Sequence, residues 1–134
     1  LSDQLFCLRC GIDLVEIGRV RRAYEKRPEA FLRRFFTVDE LSSLQGRPHL
    51  AKHLAVRVAA KEAVFKLLGA GLGELSWKEV AILSQASGEP EVALYGRAEA
   101  LAGKVGLGRI ALSLSHCREY AVAQAVAAFR KGSA

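Results

Sequence analysis

The spacing of hydrophobic and polar residues changes period several times along the chain, and each change marks an element. Residues 11–17, Gly11-Ile12-Asp13-Leu14-Val15-Glu16-Ile17, form a short segment that is apolar on both alternating faces. That pattern predicts a strand covered on two sides, with Asp13 pointing into protein. From residue 19 to about 36 the period turns helical: Pro28 divides the stretch into one or two short helices, with Phe31, Leu32, Phe35 and Phe36 facing inward. Thr37-Val38-Asp39-Glu40 matches a capping box, which gives Glu40 a structural duty at a helix start.

Pro48 opens and Gly69 closes the longest helical pattern, the usual asymmetry of proline near a helix start and glycine just past its end. At about 100° per residue, Leu54, Val58, Phe65 and Leu68 share one apolar face, while Val56, Ala60, Ala63 and Leu67 share another on the far side. Two narrow polar stripes separate them, Glu62 with Lys66 on one flank and His53, Arg57 and Lys61 on the other. A helix apolar on opposite sides is buried from both. In so small a chain one side is expected to meet its own core and the other a second subunit.

Beyond the glycine-rich stretch at residues 69–73, residues 78–83 and 91–94 read as strands flanking a turn at Ser87-Gly88-Glu89-Pro90. A short helix is expected from Gly96 to about Ala102. Arg109 to His116 then alternates as a strand, and a turn at Cys117-Arg118-Glu119 leads into residues 120–129. This reads as a hairpin, although the alanine-rich second arm also suits a helix. The order predicts an α+β fold, a small antiparallel sheet wrapped by helices with one long central helix.

Length and charge narrow the picture. At 134 residues the chain fits a single domain over residues 1–134. No apolar run reaches the ~18 residues of a membrane span. Leu1-Ser2-Asp3-Gln4 lacks the basic-then-apolar start of a signal peptide, so the expected location is the cytoplasm. Cys7, Cys10 and Cys117 are too few for a disulfide scaffold and are read as reduced thiols, with Cys7 and Cys10 as small buried hydrophobes rather than a metal or redox pair. The net charge is +6, and seven basic residues against two acidic ones fall between Arg19 and Arg34. A field so concentrated recruits an acidic partner, either nucleic acid or a negatively charged protein, unless it is simply a solvated helix face. A nucleic-acid surface gives no reason for Asp13 and Glu62 to sit among apolar neighbours, so nucleic acid is not the expected partner.

The chemistry rests on acids in apolar company. An ionised carboxylate removed from water is costly unless a partner compensates it, and both Asp13 and Glu62 lie among residues that favour burial. Two hard oxygen ligands, completed by substrate phosphate and water, are a usual setting for Mg²⁺. The plainer alternative is that Asp13 accepts backbone hydrogen bonds and Glu62 pairs with Lys66 one helical turn away. Lys66, Arg57 and Lys61 are candidate phosphate contacts, with surface solubility as their plain alternative, and His116 is a candidate phosphate donor or acid/base. The Gly69 to Gly73 loop has no Walker Lys-Ser/Thr and reads as a helix stop.

Taken together, Gly-Ile-Asp-Leu-Val-Glu-Ile at 11–17, Phe-Thr-x-x-Glu at 36–40, Arg-x-Ala-Ala-Lys-Glu-Ala-x-x-Lys at 57–66, Gly-Glu-Pro at 88–90 and Ser-Leu-Ser-His at 113–116 resemble the holo-acyl carrier protein synthase family of the 4'-phosphopantetheinyl transferases. The resemblance implies an enzyme that moves the phosphopantetheine arm of coenzyme A onto a serine of an acidic apo-acyl carrier protein, in support of fatty acid biosynthesis. It implies Asp13 and Glu62 as Mg²⁺ ligands and, with Lys66, as the catalytic set. Lys66 falls on the diphosphate contact, Arg57 and His116 on contacts to the 3'-phosphate, and Arg19, Arg22 and Lys26 on the helix that grips the carrier. It further implies a homotrimer with sites between subunits. Two positions depart from the family: Val56, where a small residue is usual, and Val58, where an aromatic is usual. Residues 1–10 exceed what the family needs and carry no assignment.

Overall fold

The computed structural model describes residues 5–71 and 73–130. Leu72 of the glycine-rich loop and the two ends, with the Leu1 to Gln4 start, lie outside the described residues. The order of elements is β1 (Phe6–Glu16), α1 (Ile17–Lys26), α2 (Pro28–Phe35), α3 (Val38–Leu44), α4 (Leu50–Leu68), a 3₁₀ turn (Trp77–Glu79), β2 (Val80–Ser84), β3 (Pro90–Leu94), α5 (Gly96–Lys104), β4 (Ala111–His116) and β5 (Tyr120–Arg130). The strands form an antiparallel sheet in the order β1-β5-β4 and a separate β2-β3 hairpin. This is the expected α+β arrangement around one long helix.

α4 lies across the three-stranded sheet, and small residues make that approach possible. Ala121, Ala123, Ala125 and Ala127 of β5 are all buried. Gly11 of β1 is closer still, since a Cβ there would lie 2.0 Å from the Ala63 carbonyl oxygen and 2.9 Å from the Leu67 nitrogen. The alanine-rich arm is therefore a strand: pairing on both edges and contact with α4 override its helical propensity. β5 has Gln124 opposite both Ile12 and Ser113, so it is the centre of the sheet.

Three burial expectations change. Thirteen of the nineteen residues of α4 are buried within this one chain, from Leu54 to Leu68, so neither of its apolar faces is left over for another subunit. α1, α3, β2 and the sheet together cover it. β1, conversely, is covered on one side only: Phe6, Leu8, Ile12 and Leu14 stay 59 to 75% exposed on the outer face of the sheet. Cys10 shares that outer face and Cys7 is half-buried, so these two cysteines are not the buried hydrophobes expected.

Pro28 begins α2 and the Thr37 capping box is formed, with Thr37 N–H donating to Glu40 Oε1 at 2.9 Å and Glu40 N–H donating to Thr37 Oγ1 at 3.2 Å. Glu40 then does more than cap. Its Oε1 also takes a bond from Lys61 Nζ at 2.9 Å, and its Oε2 takes one from the Ile82 N–H at 2.9 Å. Lys61 gives its other protons to the carbonyls of Trp77 at 3.1 Å and Val80 at 2.5 Å. This ion pair is sealed, with both side chains 0% exposed, and it ties α3, α4 and β2 together. Lys61 is thus removed from the expected set of cofactor contacts, because nothing outside the core can reach its ammonium.

Candidate functional site

β1 and α4 bring Asp13, Glu62 and Lys66 together. In β1 Asp13 shares the inner face with Gly11, two residues before it, so the close approach at Gly11 delivers the Asp13 carboxyl to the flank of α4 that carries Glu62 and Lys66. Lys66 Nζ donates to the Ile12 carbonyl at 2.9 Å and to Asp13 Oδ1 at 3.1 Å. The plain alternative of a Glu62 to Lys66 pair along the helix is therefore not where the lysine goes. Asp13 is 12% exposed and Lys66 58% exposed, so the ammonium faces solvent while the carboxylate beneath it is largely covered.

The two carboxyls are close enough for Asp13 to act on Glu62. Burial pushes the Glu62 pKa up to about 7, assisted by hydrogen bonding and like-charge repulsion from Asp13, against the opposing pull of Lys66 and Arg19. Without a cation Glu62 thus holds its proton well above the ordinary carboxyl range. Asp13 Oδ2 is buried and has no hydrogen-bond partner among the described residues. An orphaned, hard, anionic oxygen beside a second carboxyl is a fitting donor set for Mg²⁺. Among the described residues no group of three or more His, Cys, Asp or Glu side chains could hold a metal, so phosphate oxygens and water would have to complete the shell.

Glu62 also opens onto a cleft of about 400 Å³ whose lining includes Arg19, Val20, Phe35, Val58 and Trp77. Arg19, Arg22 and Lys26 are exposed along α1, at spacings of three and four residues that put them on one stripe. The stripe begins beside Glu62 and runs away from it.

Arg57 and His116 gather elsewhere. Along α4, Arg57 lies about 7.5 Å below Glu62 and roughly 140° around the axis, on the far flank. Its Nη1 donates to the His53 carbonyl at 3.3 Å, and its buried Nε has no partner. Burial and the nearby Arg47 push its pKa down while Glu40 pulls it up. His53 marks the centre of this positive cluster. Burial lowers its pKa first, followed by repulsion from Arg47, Arg57, Lys52 and His116.

His116 lines a larger cleft of about 770 Å³ together with Arg21, Tyr24, His49, Lys52 and Arg118. One chain thus holds an acidic site and a basic site on opposite flanks of α4, not a single pocket. Arg21, His49, Lys52 and Arg118 were not legible as site residues. Arg118 carried a signal, since it follows His116 in the turn. His49 carried none, for its role comes from a left-handed backbone with φ 56° at the start of α4, the only non-glycine residue of that kind among those described.

Comparisons with known proteins show the family and the fold. The sequence profile of the 4'-phosphopantetheinyl transferase superfamily matches residues 9–125. The chain is 44% identical over 119 residues to a holo-[acyl-carrier-protein] synthase of Moorella thermoacetica, covering 89% of this chain and 92% of that protein. Among solved structures, the holo-[acyl-carrier-protein] synthase of Neisseria meningitidis matches with a TM-score of 0.79 at 34% identity, covering 89% of this chain and 96% of that one. The Helicobacter pylori holo-[acyl-carrier-protein] synthase in complex with coenzyme A matches with a TM-score of 0.77 at 26% identity, covering 88% and 98%.

Proposed function

This chain belongs to the 4'-phosphopantetheinyl transferase superfamily, and on that premise we propose that it is a holo-acyl carrier protein synthase. It transfers 4'-phosphopantetheine from coenzyme A to a serine of an apo-acyl carrier protein. The serine oxygen forms a bond to the phosphorus that bears the pantetheine arm as its proton passes through water to a nearby carboxylate. The bond from that phosphorus to the bridging diphosphate oxygen breaks, and adenosine 3',5'-bisphosphate leaves.

The orphaned Asp13 Oδ2 beside Glu62 is the observation that carries this reading. Asp13 and Glu62 would hold Mg²⁺, which when bound neutralises charge on the diphosphate. Lys66, anchored by Ile12 and Asp13 yet open to solvent, holds the diphosphate by charge and hydrogen bonding. A fixed ammonium at the leaving group favours the transition state because its orientation is set before the reaction begins. Arg19, Arg22 and Lys26 dock the acidic carrier, and Arg19 brings that surface up to Glu62.

Arg57 and His116 bind the 3'-phosphate end of coenzyme A. Since they lie across α4 from the acidic site of their own chain, they serve the acidic site of a neighbouring copy in a homotrimer. The exposed apolar outer face of the sheet, with Phe6, Leu8, Ile12 and Leu14, is the surface such copies would cover. The setting is the cytoplasm, in support of fatty acid biosynthesis.

Mass spectrometry of an apo-carrier incubated with this protein, coenzyme A and Mg²⁺ tests the reading. The expected result is a phosphopantetheine adduct that vanishes when the metal is chelated. Absence of an adduct on every bacterial carrier tried, together with salt-sensitive nucleic-acid binding, would replace it with the rival reading of the basic surface.

A further inference from the structure

β1 begins at Phe6, and this places Arg9 on the same inner face as Gly11 and Asp13. An α-helix leaves its last four carbonyls without partners inside the helix. In α4 these belong to Phe65, Lys66, Leu67 and Leu68. The turn at Gly69 serves the first two: Ala70 N–H donates to Phe65 and Gly69 N–H donates to Lys66, each at 3.1 Å. The other two are served from across the fold, because Arg9 Nη1 donates to Leu67 at 3.3 Å and to Leu68 at 3.4 Å. The guanidinium is held in place from its other side, with its central carbon 5.0 Å from the ring centroid of Phe129 on β5. A cation here also sits at the negative end of the helix dipole.

Lys66 belongs to the turn that Arg9 closes. Three successive inward positions of β1 therefore address the end of α4. Arg9 takes the Leu67 and Leu68 carbonyls, Gly11 rests against the backbone of Ala63 and Leu67, and Asp13 meets Lys66 and Glu62. Gly11 sets how near the helix comes, and Arg9 sets where along the strand its last turn stops.

We propose that Arg9 is a positioning residue for Lys66: by closing the C-terminus of α4 against β1, it holds the turn from which the ammonium reaches Asp13 and the diphosphate. This rests on the reading of Lys66 as the diphosphate contact. A double-mutant cycle of Arg9→Gln and Lys66→Met, read as kcat and as KM for the carrier, tests it. Arg9→Gln should lower kcat roughly tenfold and leave the carrier KM unchanged, and the loss should disappear when Lys66 is already methionine. Arg9→Lys, which keeps the charge but not the fork, should recover part of kcat.

An equal loss in both Lys66 backgrounds, or no loss at all, overturns the proposal. Should Lys66→Met prove as active as the parent, the diphosphate reading of Lys66 fails instead. Amide hydrogen exchange then decides the positioning separately: Arg9→Gln should speed exchange at Gly69 and Ala70 about tenfold while β4 and β5 exchange as before. Unaltered exchange at those two amides overturns the role of Arg9 whatever the kinetics show.

Discussion

Two lysine–carboxylate contacts of nearly equal length differ in everything else. Lys61 and Glu40 meet at 2.9 Å with both side chains sealed, whereas Lys66 and Asp13 meet at 3.1 Å with the lysine in solvent. In the sealed pair both carboxylate oxygens and the ammonium are fully partnered, by Thr37, Ile82, Trp77 and Val80 as well as by one another. In the open pair Asp13 keeps one buried oxygen without a donor. A satisfied network fixes structure, and an unsatisfied one beside solvent is where a ligand can gain binding energy. The pairs stand on different flanks of the same helix, and adjacent residues Lys61 and Glu62 fall one to each.

Breaking each pair separates the two roles. The largest effect is expected from Asp13→Asn or Glu62→Gln, which should cut phosphopantetheine transfer about a thousandfold or more without lowering the temperature of thermal unfolding. Mass spectrometry of the carrier and calorimetry of the variant check both halves. Glu40→Gln should do the opposite: leaving Lys61 buried without its counter-charge costs roughly 3–5 kcal/mol in chemical denaturation. Adding Lys61→Met to a Glu40→Leu background should return much of that loss, since no charge is then left stranded.

A subtler difference appears with pH. Glu62 binds its proton more tightly in the folded state, where its pKa is raised from 4.5 to about 7, so in that window the native state holds more protons than the unfolded one. The metal-free protein should therefore lose stability as pH rises from the ordinary carboxyl range toward 7, and the loss should be absent in Glu62→Gln. Titration with Mg²⁺ at pH 8 should restore it. Melting temperatures across pH 4.5 to 8 that are identical for the parent and Glu62→Gln would contradict the raised Glu62 pKa. The smallest effect is expected on the rim, where Arg22→Glu with Lys26→Glu should raise the carrier KM and flatten its salt dependence with kcat intact, as measured by steady-state kinetics.

Much of the fold was legible because its local signals agree with one another: Pro28 at a helix start, the Thr37 capping box, Gly69 at the end of α4, and alternating residues in β4. The acidic site was legible for a related reason, since carboxylates amid aliphatic residues stand out on any periodicity. Three things were hidden. The helical wheel gives Lys61 a polar flank, but what covers that flank is α3 and β2, which no local pattern reports. The same blindness sent the surplus apolar surface to α4, when the sheet's outer face carries it. And Arg57 and His116 share a motif set with Asp13 and Glu62 in sequence, although within one chain they lie near His53 on the other flank of α4.

The gap at Gly11 has an implication for tolerance to mutation. Replacing glycine by alanine is the mildest change in size the genetic code offers, yet here the added methyl would overlap a main-chain carbonyl, and main chain cannot rotate aside. Permissiveness at this position is accordingly governed by shape alone. Swaps that look trivial on any hydropathy scale should rank among the most damaging in the molecule, ahead of many charge reversals on its surface.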